Sequence, residues 1–209
     1  NELDPVAAAM GAVNTVVVRD GRVTGYNTDW LGVWESLREA GLVTASDSHD
    51  ADLGTVAVIG VGGVARAVCY ALVQAGTSEI RLYDPVPGKA TAMRAAFSQG
   101  QIKSLRSSDI VAVETVEDAL QGAHGICQCS PVGMVGHPGL PFAAELLPSA
   151  SSGAAADVDT TTKQKHWLLE CIYTPVRTEL VCAAQQRGML TITGDRLNLH
   201  QFLRQFELV

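Results

Sequence analysis

Basic residues are scarce in this sequence. Its 15 lysines and arginines are outnumbered by 22 aspartates and glutamates, for a formal net charge of -7. Nucleic acid is held by clustered cations, so no nucleic-acid partner is expected. Long apolar runs are lacking too. No stretch approaches the roughly 20 residues that span a bilayer, and no membrane partner is expected. The opening residues, NELDPVAAAMGAVN, contain no basic segment leading into an apolar one, the pattern of a secretory signal. A cytoplasmic location is therefore expected. No C-x-x-C pair occurs among Cys69, Cys127, Cys129, Cys171 and Cys182, and His124, His137 and His166 share no ligand spacing. No metal site is expected, and reduced, buried thiols are the reading that remains. Aromatics are only 5% of the chain, so its core must be built from small aliphatic side chains.

Those are plentiful. Hydrophobic residues make up 47% of the 209 positions, and 20 are glycine, a composition suited to close helix-on-sheet packing. Asn1 to Met10 reads as a helix, with Asp4 as N-cap and Pro5 in its first turn. TVVVRDGRVTGYN reads as a hairpin turning at Asp20-Gly21. Trp30 to Ala40 has helical spacing and stops at Gly41. Thr44 to Leu53 has no apolar period and reads as a surface loop. From there strands and helices alternate. The strands are TVAVI (Thr55 to Ile59), EIRLY (Glu79 to Tyr83), DIVAV (Asp109 to Val113), GICQC (Gly125 to Cys129), LLECIY (Leu168 to Tyr173) and Leu190 to Thr193. The helices between and after them are Ala65 to Ala75, Gly88 to Phe97, Val116 to Leu120, Thr178 to Arg187 and Arg196 to Leu208. The segments Gly136 to Gly139 and Ser149 to Ala156 read as flexible. Alternation of this kind predicts an α/β fold with a doubly wound parallel sheet.

The sharpest local signal is GVGGVAR, directly after the first strand of that series. Gly60 permits a tight turn, and Gly62 and Gly63 let a pyrophosphate approach the backbone. The helix that follows offers free N–H groups and a partial positive charge. Ala65 opens that helix, where the third small residue of a dinucleotide fingerprint belongs, and with Val64 before it is expected to bind the cofactor. Asp84 closes the next strand, at the spacing of an acid that binds the adenosine ribose. A carboxylate there repels a 2′-phosphate, and the residues after it are Pro85, Val86, Pro87 and Gly88, with Lys89 the nearest cation. NAD is therefore favoured, with NADP as the alternative. Asp84 as a simple cap of the following turn is the competing structural reading.

Six motifs stand in order: GAVNT (Gly11 to Thr15), NTDWLG (Asn27 to Gly32), GVGGVAR, SPVGM (Ser130 to Met134), YTPVRTEL (Tyr173 to Leu180) and GDRLNLHQ (Gly194 to Gln201). Together they resemble the shikimate dehydrogenase family over nearly the whole chain. Asp84, the GHPG segment and TEL look most like its NAD-using quinate/shikimate branch. The resemblance implies a Rossmann-like NAD(P)-binding domain with a small remnant of the N-terminal substrate domain. Residues 1–29 would end the substrate domain, 30–195 would form the dinucleotide domain, and 196–209 would return to the substrate cleft. It implies reversible hydride transfer between shikimate and 3-dehydroshikimate, or quinate and 3-dehydroquinate, by a monomer or homodimer. By the same resemblance Asn14, Asp29, Tyr173 and Gln201 would contact the substrate, with Asp29 also half of a catalytic Lys-Asp pair. Ser130, Pro131, Met134, Tyr173 and Gly194 would border the nicotinamide. Several amide and carboxylate groups suit a polyhydroxylated acid.

The resemblance also sets departures. The family's catalytic lysine and its carboxylate-gripping hydroxyls lie upstream of GAVNT, which begins here at residue 11, so this chain alone is expected to be inactive. The family's usual aspartate before the VY-x-P run is missing; Glu170, Cys171 and Ile172 precede Tyr173. Asp29 on spacing alone could be a helix N-cap, and Arg66 could touch phosphate or lie on a solvated face. A regulatory or sensing domain of quinate metabolism, without turnover, is the second reading. A methylenetetrahydrofolate or glutamyl-tRNA reductase type is a third, opposed by GAVNT and NTD.

Overall fold

In the computed structural model, which describes residues 2–44, 53–99, 110–149 and 166–208, the first elements form a small mixed sheet. β1 (Glu2–Leu3) pairs parallel with β3 (Arg22–Tyr26), and β2 (Thr15–Arg19) pairs antiparallel with β3. The β2–β3 turn places Asp20 at φ 50° and Gly21 at φ 76°. Two successive left-handed residues match the right-handed twist of a hairpin, the reason Asp-Gly was a turn signal. Helix α1 (Pro5–Met10) starts where its cap predicts, with the Asp4 carboxylate accepting from the Val6 and Ala7 N–H groups. Glu2 and Leu3, expected to be helical, are instead drawn into the sheet by the open edge of β3. α2 (Asp29–Glu39) follows, with Ala40 as its C-cap and Gly41 beyond it at φ 72°.

The larger sheet has six strands, all parallel. They are β4 (Thr55–Ile59), β5 (Glu79–Tyr83), β6 (Ile110–Ala112), β7 (Gly125–Gln128), β8 (Trp167–Glu170) and β9 (Leu190–Ile192), in the spatial order β6-β5-β4-β7-β8-β9. α3 (Gly63–Gln74), α4 (Lys89–Gln99), α5 (Val116–Leu120), α6 (Glu179–Gln186) and α7 (Gly194–Leu208) connect or follow them. The strand order reverses between β4 and β7, the two central strands. At such a point the connections leave to opposite sides and open a crevice at the strands' carboxyl ends.

Alternation along β4 shows how the sheet divides the core. Val56 and Val58 point to one face, where they pack with Val68 and Leu72 of α3 and Val33 and Leu37 of α2. Ala57 and Ile59 point to the other and pack with Leu120, Leu168, Leu180 and Val181. Both faces are buried, so the strand reads as one apolar run and not as an alternating one. β8 stops at Glu170, earlier than the apolar pattern suggests, because Glu170 turns its carboxylate back to cap the following loop. α7 starts at Gly194, two residues before the expected helix, and lies across α2. At that crossing Gly32 is pressed on the Leu197 carbonyl: a Cβ at Gly32 would stand 2.5 Å from its oxygen. Of the expected surface loop at residues 44–53, residues 45–52 lie outside the described segments, and Leu53 is fully buried. The Gly136–Gly139 segment, expected to be flexible, is crossed by hydrogen bonds from Gly133 N–H to the His137 carbonyl (2.6 Å) and from His137 N–H to the Met134 carbonyl (2.8 Å). In the other, Ser149–Ala156, residues 150–156 lie outside the described segments.

Gly125 is set by packing. A methyl group there would occupy the space of the Trp167 indole, which is fully buried on the neighbouring strand. Gly125→Ala should therefore destabilise the fold by about 1–3 kcal/mol through overpacking. A fall in the urea midpoint at unchanged slope would show it; an unaltered midpoint would contradict it.

Candidate active site

The glycine loop occupies the crevice at the reversal point. Gly60, at φ 86°, has no room for a side chain: its Cβ would lie 2.6 Å from the Ser130 backbone nitrogen. Gly62 and Gly63 face the opposite situation, with no protein atom within 4 Å of an added Cβ. Gly62 is the N-cap of α3 and supplies no side-chain acceptor. The first N–H groups of α3 thus have no side-chain cap, and the space around Gly62 and Gly63 is open. Such an end is suited to an anion, which would gain both hydrogen bonds and the helix dipole.

Asp84 closes over this loop. Its side chain is 7% exposed. One carboxylate oxygen accepts from the Val61 N–H at 3.0 Å, and the other from the Val86 N–H at 2.9 Å, with the Lys89 ammonium 3.9 Å away. Asp84 therefore does cap the turn after β5, and it also pins the glycine loop. Each carboxylate oxygen keeps further lone-pair capacity for a ribose hydroxyl. Arg66 has a role that neither sequence reading contained: its guanidinium donates to the Met10 carbonyl at 3.1 Å, tying α3 to the end of α1.

On the β7–β8 side lies a cleft of about 460 Å³. Val64, Ser130, Pro131, Met134 and Tyr173 all line it, joined by Cys129 and Cys171. The Ser130 turn is held by Gln128, whose amide donates to the Ser130 hydroxyl (2.9 Å) and the Val132 carbonyl (2.8 Å) and accepts from the Ser130 N–H (3.1 Å). Tyr173 is 55% exposed, a large aromatic surface left open beside the cleft. Gly194 contacts the Cys171–Ile172 backbone so closely that a Cβ would overlap the Ile172 carbonyl. Its smallness is thus explained by protein packing, whatever else approaches it.

The second group of polar residues lies at the mouth of the small sheet. The Asn14 amide donates to Asp29 Oδ1 at 2.7 Å and to the Thr28 hydroxyl at 3.1 Å, while its carbonyl oxygen accepts from the Thr28 N–H at 2.9 Å. Asp29 is the first residue of α2 and not its cap; the N-cap is Thr28, which makes no side-chain capping bond. Asn27 fixes Asp29 from behind, its Oδ1 accepting the Asp29 N–H at 3.1 Å. Burial raises the Asp29 carboxyl above the ordinary aspartate range, and the Asn14 hydrogen bond partly offsets this. Gln201 comes to this side on α7, where its Cβ faces Gly32 and its amide donates to Asn198 at 2.8 Å. One turn later, Gln205 reaches the Thr28 hydroxyl at 3.3 Å.

Two residues with clear structural work escaped the sequence reading. Gln128 was read as part of the strand GICQC and, by resemblance, with Cys129 as a departure at the opening of the SPVGM motif. Glu170 was noted only as a departure. It is fully buried; Oε1 accepts from the Ile172 N–H at 3.2 Å and Oε2 from the Thr178 hydroxyl at 2.8 Å, and Thr178 in turn caps α6. The signal was available: a carboxylate inside the apolar run LLECI must be satisfied internally.

The chain is similar over its whole length to known enzymes. It is 35% identical over 211 residues to the shikimate dehydrogenase (NADP(+)) of Pseudarthrobacter chlorophenolicus, covering 100% of this chain and 63% of that protein. It is 34% identical over 209 residues to the quinate/shikimate dehydrogenase (NAD(+)) of Corynebacterium efficiens, covering 100% of this chain and 65% of that protein. The chain belongs to the shikimate dehydrogenase family. Its fold superposes on quinate dehydrogenase from Corynebacterium glutamicum in complex with NAD, with a TM-score of 0.79 at 31% identity, covering 100% of this chain and 66% of that one. The chain therefore spans a little under two thirds of its family relatives' length. No family model matches it. The six-stranded parallel sheet expected from the sequence is the NAD(P)-binding fold of this family.

Glu170 supplies a pH test. Burial pushes its carboxyl up from 4.5 to about 7, against the opposing pull of its hydrogen bonds from Thr178 and the backbone. The folded state then holds a proton that the unfolded chain has lost. The stability this contributes is full below pH 4.5 and disappears as pH rises through about 7. Glu170→Gln should flatten the stability profile between those limits, measured by urea midpoints across the range; an unaltered slope would overturn the assignment.

Proposed function

We propose that this chain is the dinucleotide-binding part of a shikimate or quinate dehydrogenase, transferring hydride between NAD and the hydroxyl-bearing carbon of the acid. The observation that carries this reading is the uncapped N-terminus of α3, open above Gly62 and Gly63 at the point where the sheet order reverses. Gly60, Gly62, Gly63, Val64 and Ala65 would hold the pyrophosphate, and Asp84 the ribose. Ser130, Pro131, Met134, Tyr173 and Gly194 would surround the nicotinamide. The cofactor supplies the redox chemistry, and these residues fix where its ring lies. Asn14, Asp29, Tyr173 and Gln201 would bind the acid, and Asp29 would take part in moving the proton of the reacting hydroxyl.

NAD is favoured over NADP on the buried Asp84 carboxylate. The relatives divide on this point, one named for NADP(+) and one for NAD(+). Lys89, beside Asp84, is the feature that would soften the discrimination. Among the described residues no lysine is hydrogen-bonded to Asp29, so the 209-residue chain is expected to bind its ligands without turnover unless a lysine is brought to that carboxylate. The division into residues 1–29, 30–195 and 196–209 fits this assignment, as does a monomer or homodimer. All five cysteines are free, which supports a reducing, cytoplasmic setting. Among the described residues no helix is long and apolar enough to cross a membrane.

Calorimetric titration tests the dinucleotide half. NAD should bind more tightly than NADP. Asp84→Ala should weaken NAD about tenfold or more, the loss of one charged hydrogen-bond acceptor, and should narrow the preference. Gly62→Ala, which meets open space, should cost under about 1 kcal/mol of stability while weakening both dinucleotides. Failure of either dinucleotide to bind the unaltered chain would refute the proposal.

The substrate half is read by titrating shikimate and quinate into the NAD-saturated chain. Asp29→Asn should lower affinity roughly 10- to 100-fold, the worth of a hydrogen bond to a charged group. Equal affinity in the variant would remove Asp29 from the acid site.

A further inference from the structure

Four of the five cysteines gather on the α3 side of the large sheet: Cys69 on α3, Cys127 on β7, Cys129 just after β7, and Cys171 just after β8. They differ in what they face. Cys69 and Cys127 are fully buried and do not line the cleft, whereas Cys129 and Cys171 both line it beside Ser130, Met134 and Tyr173. Their placement follows from the strand register. Gln128 pairs with Glu170, so the next residue on each strand comes side by side, and the Cys171 N–H continues the ladder by donating to the Gln128 carbonyl at 3.0 Å. The two sulfurs are 3.7 Å apart.

We propose that Cys129 and Cys171 form a dithiol in the wall of the nicotinamide cleft that a hydroperoxide closes to a disulfide, making this pocket a site of reversible oxidation. Naming the cleft for nicotinamide rests on the function proposed above; the pairing of the sulfurs does not. Neighbouring strands lie about 4.8 Å apart, inside the Cα separation of roughly 4.4–6.8 Å that a disulfide tolerates. The sulfurs need to approach from 3.7 Å to about 2.05 Å, which side-chain rotation can supply.

Cys171 is the more exposed of the two and meets the oxidant first. Its sulfur, as thiolate, attacks one peroxide oxygen; an S–O bond forms, the O–O bond breaks, and an alcohol leaves after taking up a proton. The product is a sulfenic acid on Cys171. The Cys129 sulfur then attacks the Cys171 sulfur. The S–S bond forms, the S–O bond breaks, and hydroxide leaves as water with the Cys129 proton. Two thiols are oxidised, and one hydroperoxide is reduced to an alcohol and water. The hydrogen bond to Cys171, together with burial, holds the Cys129 thiol well above the ordinary thiol range, so it enters the reaction protonated. A protonated thiol is the poorer nucleophile toward peroxide, which leaves the first attack to Cys171, and the 3.7 Å separation puts Cys129 within reach of the sulfenic acid once it forms.

The experiment exposes the reduced chain to hydrogen peroxide, alkylates it under denaturing conditions and measures intact mass and non-reduced peptides. The expected result is a product with three alkylated cysteines and a Cys129–Cys171 peptide pair, restored to five by dithiothreitol. Cys171→Ser and Cys129→Ser should each abolish the pair, and Cys182→Ser should leave it. Five alkylated cysteines after peroxide treatment, or a crosslink through Cys69, Cys127 or Cys182, would overturn the proposal even if neither cleft variant folds. A separate arm adds NAD at tenfold its dissociation constant, which should slow oxidation about tenfold by occupying the cleft. Crosslinking at an undiminished rate in that arm, with NAD bound, would keep the dithiol and discard the nicotinamide assignment of the cleft.

Discussion

The crevice in this protein exists because two backbones meet where no side chain can stand. Gly60 at the end of β4 lies against Ser130 after β7, and Gly194 at the start of α7 lies against Ile172 after β8. These contacts bring the strand ends together while the helices diverge. A Cβ at either glycine would force the strands apart, and the alignment of the α3 N-terminus with the Ser130 turn would be lost. The neighbouring Gly62 and Gly63 meet nothing, so one short loop contains both a glycine required by the protein and glycines that leave room for a ligand. The buried polar residues then hold the crevice in shape. Asp84 pins the glycine loop, Gln128 organises the Ser130 turn, and Glu170 fastens the Tyr173 segment to α6. Each is satisfied by backbone or hydroxyl partners, which removes the cost of burying it.

Much of this was readable from residue order because local and long-range demands agree. After Thr55, TVAVI is apolar at every position, as a strand covered on both faces must be, whereas EIRLY alternates, with Ile80 and Leu82 buried between partly exposed neighbours. Asp4 before Pro5, Asp-Gly between two valine-rich stretches, and Gly41 after a helical period each carry their own geometry. The failures were of a different kind. Glu2 and Leu3 looked helical because nothing local reveals that β3 leaves an edge free. LLECIY was read as one strand because the glutamate's partners, Ile172 and Thr178, become visible only once the chain has turned.

The site residues divide along the same line. The glycine loop and Asp84 announce themselves by spacing, since the chemistry of holding a dinucleotide is concentrated in one strand-turn-helix unit. Asn14 and Asp29 do not; alone they would pass for turn and cap residues, and only similarity to a family singled them out. The folded chain shows why they were ambiguous. Asn14 does what a turn asparagine does, accepting the Thr28 N–H, while its amide also reaches the Asp29 carboxylate. Arg66 shows the converse: a cation beside the glycine loop turns away to the Met10 carbonyl.

The final helix carries a consequence for the order of assembly. Gln205 reaches Thr28, the Arg19 guanidinium reaches the Leu208 carbonyl at 3.3 Å, and Gly32 lies under Leu197. The hairpin and α2 from the start of the chain are thus completed by the last fifteen residues. During synthesis, the dinucleotide sheet is assembled from mainly neighbouring segments, whereas the Asn14–Asp29 corner waits for contacts spanning nearly the whole sequence. A ribosome-bound chain short of α7 would have its glycine loop in place before the Asn14–Asp29 corner had a floor.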